Sequence, residues 1–482
     1  MNQIKKNFIY NIIYQIFTII LPLITVPYIS RILGTEKIGI YSYTYSIAYY
    51  FMLIAMLGIN NYGNRAIAQS RDNRKELSKK FMSIYFIQLV MSCIMILMYV
   101  LYINIFDVEY KTIALIQTIY LIANMFDINW FFFGLEKFKI TVTRNTFVKL
   151  ISLIFIFVFV KRNEDLWIYT TILACSSLIS QLLLFPILNK EVDWIRITFN
   201  DIKQHIIPCL TLFIPVIAVS LYKVMDKVML GCLNNVSEVG LYEQAEKITQ
   251  IPLGLIISLG TVMMPRASNL FSKDKIEEIL NYISKSIKFT MFSCFPIVFG
   301  LMAISNDFIP LFLGKEFCKS STLLNILSIT LIFISFANVL RTQYLIPNNR
   351  DKEYSISVIL GAIVNLIINF ILIPKYASIG ACIGTVFAEA TVCVYQAFVL
   401  RNELNIKRYI NNSVPFLLKS LIMFCITYLV GLININIYIK LFIQVLSGII
   451  VYVLLNYKYI LSIVDFNIIK NKLKKNDKKV SI

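Results

Sequence analysis

Long apolar runs follow one another along almost the whole chain, and short polar clusters separate them. Most runs have about 20 residues or more, the length of helix that crosses a hydrocarbon core of about 30 Å. No run alternates apolar and polar residues as the strands of a membrane barrel do, and lipid cannot hydrogen-bond the backbone, so each run is predicted to be a helix. The pattern predicts an all-α integral membrane protein with about fourteen transmembrane helices.

The polar breaks set the limits of the predicted helices. These helices lie near residues 8–33, 38–63, 81–105, 112–135, 140–160, 166–188, 205–232, 239–265, 285–305, 320–346, 354–374, 377–400, 414–435 and 437–459. The first run is longer than the apolar core of a signal peptide and lacks a small-residue cleavage pattern, so it is predicted to remain as the first span. The intervals between the runs are too short for a soluble domain.

Composition supports the membrane assignment, because 58% of the residues are hydrophobic and 15% are charged, against roughly half and a quarter in soluble domains. The formal net charge of +19 could indicate nucleic-acid binding. The Lys and Arg residues instead cluster in alternate loops, as they do on the cytoplasmic side of membrane proteins. The charge therefore predicts that both termini lie in the cytoplasm, and no nucleic-acid partner is expected.

The sequence gives no support to metal or disulfide chemistry. The nine cysteines lie almost all inside apolar runs without a C-x-x-C pair, and the single histidine, His205, has no second His or Cys near it. Cysteines in such places behave as small hydrophobic residues, and a zinc site needs a cluster of ligands. No metal site and no catalytic residue are predicted.

Two parts of the chain carry a related pattern. Gly39 and Gly240 each open a helix shortly after a Leu-Gly pair, and Arg65 follows Gly39 at the same distance as Arg266 follows Gly240. Both halves start from the same side of the membrane, which predicts two six-helix lobes related by a parallel pseudo-two-fold repeat. The predicted domains are an N-lobe at 1–204, a C-lobe at 205–408, two extra helices at 409–460 and a basic cytoplasmic tail at 461–482.

Ionisable residues inside the predicted spans are the first candidates for function, because each is costly in lipid unless it is paired or hydrated. The set comprises Arg31, Asp127, Lys223, Asp226, Lys227, Glu243, Glu246, Lys247, Arg341, Glu389 and Lys419. One interpretation is that these residues pair with one another and only support the structure. Lys223 with Asp226 and Glu243 with Lys247 are pairs of this kind.

A second interpretation is that some of these residues bind substrate. Arg31 and Lys227 occupy nearly equivalent places before the Leu-Gly pairs of the two halves, so two cations could face one cavity. Such a cavity suits a phosphate or pyrophosphate, to which arginine offers a forked donor. Asp127, Asp226 and Glu389 are then candidates for binding H⁺ or Na⁺ and coupling transport to an ion gradient.

Five stretches, in this order, carry a resemblance to a known family. They are LGTEKIGIYSYTYSIAYYF, LGINNYGNRAIA, LYKVMDKVMLGCLNNVSEVGLYEQAEKI, GTVMMPRAS and VNLIINFILIPKYASIGACIGTVFAE. The chain resembles, over nearly its whole length, the oligosaccharide flippases that translocate O-antigen and capsule repeat units in bacterial polysaccharide biosynthesis. These belong to the multidrug, oligosaccharidyl-lipid and polysaccharide exporter superfamily, with the multidrug extruders and the lipid II flippases. The resemblance implies two six-helix lobes around a cationic cavity, with the last two helices flanking a groove for a lipid tail.

The resemblance also implies a function. Undecaprenyl-diphosphate-linked repeat units would be flipped from the cytoplasmic to the outer leaflet of the bacterial inner membrane by alternating access, driven by an ion gradient and without a resident cofactor. Membrane lipids, a polysaccharide polymerase and other proteins of the synthesis complex are the partners implied beside the lipid-linked oligosaccharide. The residues that match the diphosphate-binding positions by their place in the pattern are Arg31, Arg65, Lys227, Arg266 and Arg341.

Two other functions remain open at this point. A multidrug exporter of the same superfamily would be expected to have an acidic cavity for cationic drugs. A membrane polysaccharide polymerase would be expected to have a sizeable extracytoplasmic loop with catalytic residues, whereas the predicted outer loops are short. The sequence has no P-loop, so it contains no ATPase site of that type.

Overall fold

The computed structural model describes residues 3–106, 109–273 and 275–463, and every regular element within these ranges is a helix. This confirms the predicted all-α fold class. The first eight helices are α1 (Gln3–Met56), α2 (Ile59–Ser70), α3 (Arg74–Ile105), α4 (Lys111–Met125), α5 (Asn129–Gly134), α6 (Phe138–Phe159), α7 (Leu166–Leu182) and α8 (Phe185–Glu191). The remaining helices are α9 (Phe199–Leu233), α10 (Val236–Ser272), α11 (Ile276–Phe312), α12 (Lys319–Leu340), α13 (Asp351–Tyr376), α14 (Ser378–Val399), α15 (Ile406–Gly431), α16 (Ile437–Leu455) and α17 (Tyr457–Ile463).

Twelve helical segments in the described ranges are long and apolar enough to cross a membrane, against about fourteen predicted from the sequence. The first two predicted spans are counted as the single segment Leu21–Ser70, but they are separated as predicted, because the backbone is non-helical at Gly34, where φ is 70°. Glycine adopts this left-handed conformation without steric cost. The predicted span 239–265 lies within α10, a helix of 37 residues, and stays a prediction as a membrane span.

The described chain forms two compact units. The first consists of the chain up to Gly254 together with Pro310–Leu327 and Lys352–Val392. The second consists of Leu255–Ile309, Ser328–Asp351 and the chain from Cys393. The lobe boundaries predicted from the repeat do not correspond to these two units and stay a prediction. Of the predicted basic tail at 461–482, the part after position 463 lies outside the described residues.

An aromatic core joins α2, α3 and α5 in the first unit. The short helix α5 buries Trp130, Phe131 and Phe132, each at most 1% exposed. The indole N–H of Trp130 donates to Gln88 Oε1 of α3 at 3.0 Å. Gly63 of α2 lies directly against the Trp130 ring, where a Cβ would overlap with it. The tight packing fixes α2, α3 and α5 as one rigid group.

The two glycines of the sequence repeat pack against each other in the first unit. A Cβ on Gly39 would overlap with the carbonyl oxygen of Val236, and a Cβ on Gly240 would overlap with that of Thr35. Thr35 precedes Gly39 by four residues, as Val236 precedes Gly240, so the contact is reciprocal. Reciprocal contacts are what a two-fold axis between similar elements produces. The backbones of α1 and α10 therefore meet at a position of the repeat where only glycine fits.

Candidate functional site

A cavity of about 690 Å³ lies in the first unit, between α1, α7, α9 and α10. We call it the lysine cavity, after Lys223, Lys227 and Lys247 in its wall. One side of it is a face of α1 that presents a tyrosine on every turn. This face comprises Tyr41, Tyr45 and Tyr49. The spacing of four residues places all three rings on one side of the helix.

The tyrosine face is ordered by contacts between rings and hydroxyl groups. The ring of Tyr41 stacks on that of Tyr45 with centroids 5.8 Å apart, and it meets the ring of Tyr169 from α7 edge-on at 5.2 Å. The Tyr41 hydroxyl forms a hydrogen bond of 2.9 Å with the hydroxyl of Tyr120 from α4. Neighbouring rings in such arrangements stabilise one another. The cavity therefore has a rigid aromatic wall.

Two of the three lysines are held by carboxylates from α10. Lys227 Nζ lies 2.6 Å from Glu243 Oε2 and 2.8 Å from Glu246 Oε2. Lys247 Nζ lies 2.9 Å from Glu243 Oε1, as the i, i+4 spacing predicted. Three lysines and two glutamates leave this cluster with one excess positive charge.

Lys223 differs from the other two lysines. It is exposed in the wall of the cavity, one helical turn before Lys227 on α9. It makes no ion pair or hydrogen bond with any residue that the structure describes. The predicted pairing of Lys223 with Asp226 is wrong, because the Asp226 carboxylate is turned to other elements of the first unit. Lys223 is therefore a cation available to a ligand.

The five predicted diphosphate ligands lie in different places. Lys227 lines the lysine cavity, whereas Arg31 of α1 donates to the carbonyl oxygen of Leu311 and Arg65 is exposed on α2. Arg266 and Arg341 belong to the second unit. In that unit the Arg266 guanidinium lies 5.6 Å from the centroid of the Tyr282 ring, and Arg341 donates to Asn338 Oδ1 at 2.7 Å. Lys227 alone of the five lines this cavity, and the role of all five stays a prediction.

Asp226, the first of the three candidates for ion coupling, is fully buried in the first unit. Its carboxylate accepts hydrogen bonds from the Tyr242 hydroxyl at 2.7 Å, from the Thr385 hydroxyl at 2.7 Å and from Asn369 Nδ2 at 2.6 Å. None of the described residues forms an ion pair with it. Three helices other than its own, α10, α13 and α14, thus supply neutral donors to a single buried negative charge.

The other two candidates have different surroundings. Asp127 follows α4 and accepts hydrogen bonds at Oδ1 from the backbone and side-chain nitrogens of Asn129, at 2.9 and 2.6 Å. It lines a smaller cavity of about 280 Å³ in the first unit. Glu389 lies half-buried in α14. The structure therefore does not gather the three carboxylates into one site, and their role in coupling stays a prediction.

The sequence identifies Lys223 and Lys247 as ionisable residues within the spans but does not mark them as ligands. Only Lys227 is distinguished as a candidate ligand, by its match to Arg31 in the repeat. The spacing 223, 227 on α9 and the tyrosine spacing 41, 45, 49 on α1 were both visible as helical faces. What could not be read from spacing alone is that both faces line the same cavity.

An apolar groove of about 430 Å³ lies in the second unit. Its walls are α11, α15 and α16, the last two being the extra helices predicted at 409–460. Apolar side chains make up most of the lining, and Gly300 and Gly448 leave space along it. The only polar side chains that the structure places in this wall are those of Thr427, Gln444 and Tyr452. Such a groove suits a hydrocarbon chain and not a charged group.

Comparison with known proteins now identifies the family. The polysaccharide biosynthesis protein family matches residues 4–271, more than half of the chain. The chain belongs to this family. A second family, MatE, matches residues 212–374.

Relatives of this polysaccharide biosynthesis protein cover most of its length. A protein of Escherichia coli (strain K12), named as a candidate O-antigen transporter, is 24% identical over 83% of this chain and 97% of its own. The capsular polysaccharide biosynthesis protein CapF of Staphylococcus aureus is 23% identical over 80% of this chain and 96% of its own.

Solved structures of the same fold are membrane transporters. The lipid II flippase MurJ in an inward closed conformation has a TM-score of 0.78 at 17% identity, over 95% of this chain and 100% of its own. An inward-facing multidrug resistance MATE family transporter has a TM-score of 0.60 at 14% identity, over 81% of this chain and 96% of its own. The chain is a multi-pass membrane protein whose family and fold are those of transporters and not of enzymes.

Proposed function

We propose that this protein is a flippase that carries undecaprenyl-diphosphate-linked oligosaccharide repeat units from the cytoplasmic to the outer leaflet of a bacterial cell membrane, for surface polysaccharide synthesis. The observation that carries the proposal is the lysine cavity, where a free lysine, two paired lysines and a tyrosine face line one space. The names of the relatives, which include an O-antigen transporter and a lipid II flippase, support it.

The lysines fit the diphosphate of such a substrate. Lys223 has no partner among the described residues and can make the first contact. Lys227 and Lys247 can each donate a further N–H to a phosphate oxygen while they stay paired with Glu243 and Glu246, because a lysine ammonium has three donors. Charge-assisted hydrogen bonds to phosphate are strong in a low-dielectric setting, and the two carboxylates keep their partners while the substrate is bound.

The tyrosine face fits the sugars. A tyrosine ring offers an apolar surface to the C–H face of a sugar ring and a hydroxyl group to its hydroxyls. The hydroxyls of Tyr45 and Tyr49 form no hydrogen bond with the described part of the protein. They are thus available to a ligand that carries many hydroxyl groups.

The contact between α1 at Gly39 and the start of α10 at Gly240 supports alternating access. The contact between Gly39 and Gly240 closes the first unit at this end. The Glu238 carboxylate, near the start of α10, also binds Lys319 Nζ at 2.6 Å and the hydroxyl of Ser378. With both termini in the cytoplasm, as the basic loops predict, this closed end faces outside. Outward opening of the cavity then requires that these contacts separate.

Asp226 supports coupling to an ion gradient. A buried carboxylate without a cation partner is stabilised when it takes up H⁺ or Na⁺. The hydroxyls of Thr385 and Tyr242 surround it, and the oxygen of the Asn369 amide is buried without a donor. Rotation of that amide would present its oxygen to a cation, since oxygen ligands are those that hard cations prefer. We propose Asp226 as the residue that binds the coupling ion.

Purified protein in proteoliposomes tests the function. The substrate is a fluorescent undecaprenyl-diphosphate N-acetylglucosamine, and its transfer between leaflets is followed by quenching from outside. The wild type and Lys111→Gln, which changes an exposed lysine outside the cavity, are expected to accelerate transfer, whereas Lys223→Gln is not. Transfer by Lys223→Gln at the wild-type rate would contradict the assignment of the cavity. No acceleration by the wild type, either without or with a H⁺ or Na⁺ gradient, would contradict the function.

A further inference from the structure

A second cavity of about 280 Å³ adjoins the lysine cavity in the first unit. Tyr45, Tyr49, Asn61 and Val216 line both. Ligand cavities have volumes of roughly 300 to 1,000 Å³, so this one is of a size for a single ring and not for a chain of rings. We call it the amide cavity, because Asn60, Asn61, Asn124 and Gln181 line it.

Two of its amides are unused by the protein. Asn60 and Asn61 are exposed at the start of α2, and their side chains form no hydrogen bond with the described residues. The backbone that precedes them packs closely on α9 at Gly58, whose φ is 75° and whose added Cβ would lie 2.6 Å from the carbonyl oxygen of Cys209. Unpaired amides within a membrane domain are costly unless water or a ligand satisfies them. Their position is therefore fixed and their hydrogen-bonding capacity is free.

Asp127 gives the amide cavity a negative charge. Oδ1 of its carboxylate is occupied by the two hydrogen bonds from Asn129, whereas Oδ2 has no hydrogen-bond partner in the described chain. Arg144 acts on the Asp127 carboxylate through its charge, but it lies behind Asn129 and Gln181 and does not line the cavity. It donates to Asn129 Oδ1 at 2.9 Å and to Gln181 Oε1 at 3.3 Å. Among the described residues that line the cavity, Asp127 alone is a carboxylate, and none is a lysine or an arginine.

We infer that the amide cavity binds the sugar attached to the diphosphate and selects a neutral, hydroxyl-rich ring, such as a hexose or an N-acetylhexosamine, over a uronic acid. The inference rests on the proposed function, since the diphosphate in the lysine cavity places the first sugar in the adjoining space. Asn60, Asn61 and Asp127 Oδ2 match the donors and acceptors of sugar hydroxyls. A carboxylate on the sugar would face the Asp127 carboxylate without a cation between them. Two like charges brought together in a binding site repel each other and weaken binding.

Binding of three defined probes to the full-length protein in lipid nanodiscs tests the inference. The probes are farnesyl diphosphate and its glucose and glucuronic acid conjugates. The wild type is expected to bind the glucose conjugate about tenfold more tightly than the glucuronic acid conjugate. Asp127→Asn, which keeps an acceptor for the Asn129 N–H, is expected to bring the two affinities within about twofold of each other. Farnesyl diphosphate should bind equally to both proteins.

A second variant keeps the test independent of the hydrogen bonds between Asp127 and Asn129. Asn60→Ala changes an exposed side chain of the amide cavity and should weaken the glucose conjugate about three- to tenfold, while farnesyl diphosphate binds as before. Equal affinity of the wild type for both sugars would overturn the inference. It would also be overturned if either variant lost as much affinity for farnesyl diphosphate as for the glucose conjugate. If the wild type binds farnesyl diphosphate but does not discriminate between the two sugars, only the role of the amide cavity is contradicted. If the wild type does not bind farnesyl diphosphate, the proposed function is contradicted.

Discussion

The lysine cavity of the first unit is lined by charged and aromatic side chains, whereas the apolar groove of the second unit is lined mostly by apolar side chains. The cavity combines three lysines, two carboxylates and a tyrosine face. The groove has Ile, Leu, Val and Met side chains along three helices, with two glycines that leave it open. A substrate with a charged, hydroxyl-rich head and a long hydrocarbon tail needs both kinds of surface. The overall composition, with 58% hydrophobic residues, does not distinguish the cavity from the groove.

The largest effect is expected for Lys227→Gln in the lysine cavity. Lys227 has a side chain only 15% exposed and is paired with two carboxylates, so its removal leaves buried negative charge uncompensated. The cost is expected to be about 3 to 5 kcal/mol of folding stability. Thermal unfolding in detergent should show a clear decrease, together with a loss of transport.

Lys223→Gln is the matched control for that prediction. Lys223 lies one turn away in the same cavity and has no partner among the described residues. It should lose transport without a measurable change in thermal unfolding, since only the ligand uses it. A similar loss of stability in both variants would show that the two lysines do not differ as described.

The next effect is expected where α1 meets α10. Gly240→Ala would place a Cβ on the carbonyl oxygen of Thr35, and overpacking of this kind costs about 1 to 3 kcal/mol. Gly254→Ala, in the same helix, meets nothing within 4 Å and should be neutral or slightly stabilising. The two variants are compared by thermal unfolding. Equal behaviour would contradict the close contact at the repeat.

A smaller effect tests the groove. Gly300→Leu adds a side chain where the nearest atom to a new Cβ is Met423 Cε at 3.9 Å, so the backbone is not disturbed and the groove is filled. Binding of an undecaprenyl diphosphate should weaken about tenfold, as removal of buried apolar contact predicts, whereas that of farnesyl diphosphate should not. The comparison of the two tails is measured in nanodiscs. Equal weakening of both would mean that the groove does not hold the distal part of the tail.

The smallest effect is expected for Lys275→Gln in the second unit. Lys275 forms an ion pair with Glu278, and the two side chains are 49% and 55% exposed. A pair of this kind contributes about 1 kcal/mol or less. Thermal unfolding should therefore decrease slightly and transport should not change. A loss of transport without a loss of stability would instead assign this pair to the transport cycle.

The regular features of the fold could be predicted from the sequence because they depend on local pattern. Apolar runs gave the helices, and the recurrence of glycines gave the repeat that Gly39 and Gly240 display in the structure. The pairing of Glu243 with Lys247 follows from their spacing on one helix. The break predicted between the first two spans falls at Gly34, the one residue of α1 with a non-helical backbone.

The contents of the candidate site depend on residues far apart in the sequence, which spacing does not reveal. Asp226 is bonded to Asn369 and Thr385, which lie 143 and 159 residues away, and not to Lys223 on its own helix. Arg31 and Lys227 occupy similar places in the repeat, but Arg31 is held by the carbonyl oxygen of Leu311. The repeat predicts equivalent positions on two helices. It does not predict which side chains face the cavity.

Flippase function is tested most directly by the location of lipid-linked repeat units in the parent bacterium after deletion of the gene. Accessibility of the repeat units to a reagent that does not cross the membrane distinguishes the two leaflets. Without the flippase the units should accumulate in the cytoplasmic leaflet, and the wild-type gene, but not one encoding Lys223→Gln, should restore export. Accumulation of unpolymerised units in the outer leaflet would contradict flippase function and indicate a polymerase. An intact polysaccharide with a loss of drug resistance would contradict it in favour of a multidrug exporter.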